Sequence, residues 1–348
     1  ILMSKRILAA ACAAATALAL SACSPSASTG GKTSKDGTLT VMASFYPLKY
    51  LAEKVGGEHV TVTSLTPDGA EPHDLELSPK MVDSLASADA VVYLADFQGA
   101  VDEAVEQHAP KTVIDVSPAA QLVAIDSTSN HPGEDEDTDE AQSGEAQSGE
   151  AADHDHEGHE HEGHDHEHAD HDHHHDMSMD PHFWLDPARM ANAATLVGDK
   201  LAEADPTNAE TYKANAQALN EELTSLGDNL VAKTATCQIK TFVTAHTAFG
   251  YLADRTGLTQ VGISGLDPES SPSPARLAEI GKIVKDQGVT TIFTEALIDP
   301  KVEQTLATDL GISTAVLDPI ESQTDSSKDY AAVMNDNIDA LTKANNCQ

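Results

Sequence analysis

From residue 38 onward, short apolar runs alternate with stretches in which apolar residues recur every three or four positions. Runs at 38–45, 59–65, 90–94 and 112–116 predict strands, and the stretches 47–55 and 79–86 predict helices. A second series follows, with strands expected at 239–245, 259–263, 290–294 and 314–317, and helices at 248–256, 274–286, 301–310 and 326–343. Strands that alternate with helices build mostly parallel sheets, because each parallel crossover needs a helix to return the chain. The expected fold is therefore α/β, with two lobes, each a mostly parallel sheet flanked by helices.

Between the two series lies a region rich in Ala, Leu, Glu, Asn and Lys, residues 187–234, broken once at Asp205-Pro206 where a helix stops and restarts. Residues 207–233 can form one helix about 40 Å long at 1.5 Å per residue. It is either a spine joining both lobes or an ordinary surface helix. The organisation read from these patterns is a lobe over 38–186, a linking helical region over 187–234 and a second lobe over 235–348.

The segment 131–180 has a different composition. It contains no Lys or Arg, few apolar residues and nineteen acidic side chains, and it is expected to be a disordered insert in the first lobe. Its second half interleaves His154, His156, His159, His161, His164, His166, His168, His171, His173, His174 and His175 with Asp and Glu. Acidity alone would not call for imidazoles, and alternating imidazole and carboxylate suits zinc, nickel or copper. These histidines are expected to form an accessory metal-collecting loop with no single coordination set.

Charge narrows the partners. With 57 acidic and 20 basic residues, a formal charge of -37 argues against nucleic acid and anionic lipid surfaces, and fits a cation. The N-terminus reads as an export signal over 1–22: Lys5 and Arg6 precede an apolar run that is too short for a comfortable membrane span. Leu20-Ser21-Ala22-Cys23 resembles a bacterial lipobox, which implies cleavage before Cys23, acylation of its thiol and a flexible tether over 23–37. Localisation is thus expected to be extracytoplasmic, with a lipid anchor to the cell membrane. In that oxidising setting Cys237 and Cys347 are expected to pair as a disulfide, two free thiols being the alternative.

Four positions outside the insert can converge on one ion. His73 follows a strand and a Pro/Gly turn, His182 sits in Asp180-Pro181-His182-Phe183-Trp184-Leu185-Asp186-Pro187, His246 ends one apolar run and Asp318 ends another. Ligands of open α/β sheets gather at the carboxyl ends of strands, and three imidazoles with one carboxylate make a four-coordinate set suited to zinc.

The segments Gly-Ala-Glu-Pro-His73-Asp, Asp-Pro-His182-Phe-Trp-Leu-Asp-Pro, Thr-Ala-His246-Thr-Ala-Phe-Gly-Tyr and Leu-Asp318-Pro resemble the signatures of the cluster A-I (cluster 9) solute-binding proteins of ABC importers, the ZnuA-like zinc-binding lipoproteins among them. The resemblance runs from about residue 38 to the C-terminus, interrupted by the insert. It implies two lobes joined by one long spine helix, with metal in the interlobe cleft held by His73, His182, His246 and Asp318. It also implies an ABC permease as membrane partner for a monomeric receptor that captures zinc and has no enzyme activity. Manganese-type members are similar but tend to carry a carboxylate at the position matching His246. Some zinc members have Glu directly before the histidine matching His73, where this chain has Pro72; Glu71 and Glu295 are held as alternative fourth ligands. A zinc chaperone, buffer or adhesin uncoupled from transport would share the same binding chemistry.

The catalytic alternative is disfavoured by the absence of an HExxH helix, a GxSxG elbow, a GxGxxG turn or a P-loop.

Overall fold

Two four-stranded parallel sheets carry the molecule, each with its helices threaded between successive strands. A computed structural model describes residues 37–108, 110–125, 130–131 and 178–348. The expected export signal, Cys23 and the histidines of 154–175 lie outside these residues.

The first sheet contains β1 (Leu39–Ala43), β2 (Val60–Ser64), β3 (Ala90–Tyr93) and β4 (Thr112–Asp115), in the order β2-β1-β3-β4. Its helices are α1 (Tyr46–Gly56), α2 (Pro79–Ser87), α3 (Gly99–His108) and the single turn α4 (Ser117–Ala120). After the link helices α5 (Pro187–Ala204) and α6 (Ala209–Thr234), the second sheet repeats the topology: β5 (Thr241–Thr244), β6 (Thr259–Gly262), β7 (Thr291–Thr294) and β8 (Ser313–Val316), ordered β6-β5-β7-β8. Helices α7 (Gly250–Thr256), α8 (Pro274–Gln287), α9 (Lys301–Leu310) and α10 (Tyr330–Ala344) complete it. Central strands β1, β3 and β5 are buried along nearly their whole length because both their faces are covered.

Several helix starts are written in the sequence. Ser78, Asp186 and Ser273 each precede a proline and cap α2, α5 and α8 by accepting a backbone N–H from the first turn. Between α5 and α6 the Asp205 carboxylate accepts from Asn208 and from the Tyr212 hydroxyl, which folds the chain back at the break expected there. The two helices then pack so closely that a Cβ on Gly198 would meet the Ala216 methyl at 2.4 Å. At 26 residues α6 spans about 39 Å.

One core is continuous from the inner face of the first sheet through α5 and α6 to α7, α10 and the second sheet. Each lobe has a smaller core on the other face of its sheet, around Val91 and Leu85 in the first and Val243 and Ile280 in the second. Because the shared core runs through the helices, the lobes are joined by packing rather than by a loose tether. Cys237 and Cys347 form a disulfide, which fastens the end of the chain beside the start of the second sheet.

The ends of the segment expected to lack order are built into the fold. Ala124 pairs antiparallel with Met179, and His131 and Asp180 are 1% and 0% exposed. Composition averaged over fifty residues hides these termini, whose order comes from hydrogen bonds to the second lobe.

Candidate metal centre

Three histidines and a glutamate meet between the lobes: His73, His182, His246 and Glu321 each offer a donor atom, all within 4.8 Å of one another. His73 lies in the loop after β2, His246 just after β5 and Glu321 in the loop after β8, so three donors stand at the carboxyl ends of parallel strands. His182 precedes a short 3₁₀ turn, Phe183–Leu185, that leads into α5. Among the described residues this is the one group of its kind.

Each histidine is held from behind. His182 Nδ1 lies 2.8 Å from Asp180 Oδ1, which also accepts the His182 backbone N–H at 2.9 Å. His246 Nδ1 lies 2.7 Å from Glu295 Oε1, which accepts its backbone N–H at 3.1 Å. Both Glu71 oxygens accept the His73 backbone N–H, at 2.9 and 3.0 Å. Beneath that loop the Gln98 amide donates to Pro72 O and Thr66 Oγ1, and Phe97 meets the His73 ring edge-on at 4.9 Å. A carboxylate at Nδ1 demands the Nδ1–H tautomer of a neutral imidazole, which leaves the Nε2 lone pair facing inward for an ion.

The inner atoms fit a tetrahedral metal. Glu321 Oε1 stands 3.4 Å from His73 Nε2, 3.4 Å from His182 Nε2 and 3.3 Å from His246 Nε2. A tetrahedron with bonds of about 2.0–2.1 Å has edges of about 3.4 Å. Nε2 of His182 and of His246 are buried with no hydrogen-bond partner despite that proximity, an arrangement costly for polar atoms unless something binds them. Electrostatics favour a cation as well. Burial would raise the Glu321 carboxyl, but the three imidazoles outweigh it and hold it well below the usual range. Burial opposes charge on His182 and His246 too, yet Asp180 and Glu295 with Glu321 raise both, His246 strongly.

Asp318, expected as the fourth ligand, is not in the group. Its carboxylate accepts the Ile320 N–H at 2.8 Å, while its own backbone is pinned by two hydrogen bonds to the Asn337 side chain in α10. Burial and the negative charge of Glu321 raise its carboxyl to about 6. The turn it shapes puts Ile320 at φ 57, a left-handed conformation that a β-branched residue rarely adopts, and this swings Glu321 inward. The Trp184 indole N–H donates to Pro319 O at 2.7 Å, so the motif bearing His182 also supports the loop bearing Glu321. Glu71 and Glu295 do not join the four donors; they hold histidines from outside. The proximity of Glu321 to the Leu-Asp-Pro segment was the only signal for it, and spacing alone does not say which carboxylate of that loop turns in.

The fold and this site together define a two-lobed α/β protein with a candidate metal centre between its lobes. The chain matches the family described as "ZnuA: Zinc-uptake complex component A periplasmic" over residues 41–344, and it belongs to that family. It is 33% identical over 311 residues to the zinc-binding protein AdcA of Streptococcus pyogenes serotype M3, covering 88% of this chain but 56% of that protein, so it spans about half the length of that relative. It is 32% identical over 334 residues to the high-affinity zinc uptake system protein ZnuA of Bacillus subtilis, covering 94% of each. The solved structure of AdcAII from Streptococcus pneumoniae is similar at TM-score 0.69 and 29% identity, over 88% of this chain and 98% of that one.

Proposed function

We propose that this chain is an extracytoplasmic zinc receptor that captures one zinc ion between its lobes and delivers it to the permease of an ABC importer. The observation that carries the reading is the cluster of half-buried His73 with buried His182, His246 and Glu321, in which Nε2 of two histidines is left without hydrogen-bond partners. Zinc suits it better than manganese, because three imidazoles are softer than the oxygen-rich sets that manganese prefers. Four protein donors fill a tetrahedral shell and leave no position for a reactive water, which favours a carrier over a hydrolase. Acylation at Cys23 would keep the receptor at the membrane as a monomer, and the histidines of 154–175 would collect zinc near the cleft, where tethering raises its effective concentration.

Competitive zinc titration followed by native mass spectrometry tests this on the chain from residue 24, beside a version with 132–177 replaced by a short Gly/Ser linker. That deletion spares His131 and Asp180, which belong to the fold. One tight ion should survive the deletion, and Glu321→Ala should abolish it while Asp318→Asn leaves it in place. If no tight ion survives the deletion, the cleft is not the receptor site and the chain is better read as a histidine-rich buffer on an α/β scaffold.

A further inference from the structure

His131 begins the histidine-rich segment, yet it is buried in the fold at 1% exposure. The stem of the insert is fastened to α7: Val123 N–H donates to Tyr251 Oη at 2.8 Å, and the Tyr251 hydroxyl donates to Asp180 O at 2.7 Å. Asn130 donates to Asp254 Oδ1 at 2.9 Å and accepts the Gln260 N–H at 3.1 Å. These contacts seat the His131 ring against Tyr251, with centroids 4.6 Å apart.

From that seat His131 closes a chain of hydrogen bonds that ends in the metal centre. Its Nε2 lies 2.9 Å from Asp254 Oδ2 and its Nδ1 2.5 Å from Asp180 Oδ2. The other Asp180 oxygen holds His182 Nδ1 at 2.8 Å. Carboxylates only accept, so both His131 nitrogens donate and the ring carries a positive charge. Burial opposes that charge, but the two aspartates outweigh it and raise the group. Asp180 is fully buried, and without a cation on its outer side it would be a buried anion shared by nothing but His182.

We propose that His131 is a positioning residue for the metal site, which orients and neutralises Asp180 so that Asp180 in turn fixes the ring plane and Nδ1–H tautomer of His182. This deepens the zinc-receptor reading and rests on it. Gly250, the first residue of α7, is part of the device: a Cβ there would meet Asn130 O at 2.5 Å and His131 Nδ1 at 2.7 Å, so only glycine admits the imidazole this close.

The experiment uses the whole chain, stripped of metal, with zinc alone as probe and a chelator strong enough to leave only the tightest site loaded. His131→Ala, Gly250→Ala and His246→Ala are compared with the parent for zinc competition, for metal-free thermal unfolding and for the downfield imidazole N–H proton of His182, assigned by its loss in His182→Ala. Buried imidazole N–H protons exchange slowly with water, so this signal reads the tautomer directly. Loss of an outer partner typically weakens metal binding by about 10–100-fold, and His131→Ala should do so while shifting or erasing the His182 signal. Gly250→Ala should act in the same direction with every polar group retained, and it carries the test if His131→Ala does not fold. Zinc affinity within twofold of the parent and an unchanged His182 signal in both variants would overturn the positioning role, provided His246→Ala weakens binding. A parent that holds no tight zinc, or holds it unchanged in His246→Ala, overturns the receptor reading and this role with it.

Discussion

Glu295 separates orientation of a ligand from ligation itself. Its Oε1 holds both the backbone N–H and Nδ1 of His246, and its side chain is 3% exposed. Glu295→Gln keeps the shape and an acceptor oxygen but converts charge-assisted bonds into neutral ones. Bonds to charged groups contribute about 1.5–3 kcal/mol and neutral ones about 0.5–1.5, so the change costs about 1–1.5 kcal/mol for the Nδ1 bond, which zinc on Nε2 strengthens. That is about a tenfold rise in zinc Kd. Glu295→Ala leaves the Nδ1–H of a fully buried ring with no acceptor, and the rise should be about 10–100-fold. The assay is chelator competition over a pH series, extrapolated to the pH-independent affinity, because removing the carboxylate also lowers the proton affinity of His246 and would mask part of the loss. The expected order of affinity is parent, then Glu295→Gln, then Glu295→Ala. Both variants within twofold of the parent would refute the orienting role. Complete loss of zinc in Glu295→Gln with the fold intact would make Glu295 a ligand.

Proton competition and chain closure give the remaining predictions. In the metal-free chain His182 and His246 hold protons more tightly than ordinary imidazole, so apparent zinc affinity should fall as pH falls, and calorimetry in buffers of different ionisation enthalpy should show proton release on binding. Their raised values stabilise the metal-free fold fully below the unfolded histidine value of about 6.5, and this contribution fades as pH rises through the folded values. Glu321 is depressed, so its contribution is present above about 4.3 and lost as pH falls through its folded value. A metal-free unfolding midpoint that rose steadily toward alkaline pH would contradict this pairing. Opening the Cys237–Cys347 disulfide, which closes a loop of 110 residues, should cost up to about 4–5 kcal/mol in urea unfolding and leave zinc stoichiometry unchanged. A loss below about 1 kcal/mol would mean that the unfolded chain gains little freedom when the link is cut.

The architecture was legible because it depends on periodicity. Apolar runs flanked by amphipathic stretches specified two parallel sheets, and the break at Asp205 separated α5 from the long α6. His73 and His246 were legible for a related reason, since each follows a strand that a parallel sheet points toward its ligand crevice, whereas His182 was legible through its Asp-Pro-His-Phe-Trp-Leu-Asp-Pro segment. The helix α3 was not read in advance, since Gly99–His108 has few apolar positions and draws its place from packing on the first sheet.

What the sequence by itself determined is the material of the site: three imidazoles outside the insert, an acidic chain suited to a cation, and a histidine-rich segment apart from both. Which carboxylate completes the site was decided by tertiary structure. Asp318 and Glu321 stand three residues apart in one loop, and only the left-handed Ile320 and the bonds from Asn337 and Trp184 turn one aside and the other inward. The same holds for Asp180 and His131, which lie 49 residues apart yet share a hydrogen bond. Local patterns encode the period and polarity of an element, whereas the direction of a loop side chain is set by partners distant in sequence, whose positions exist only once the chain has folded.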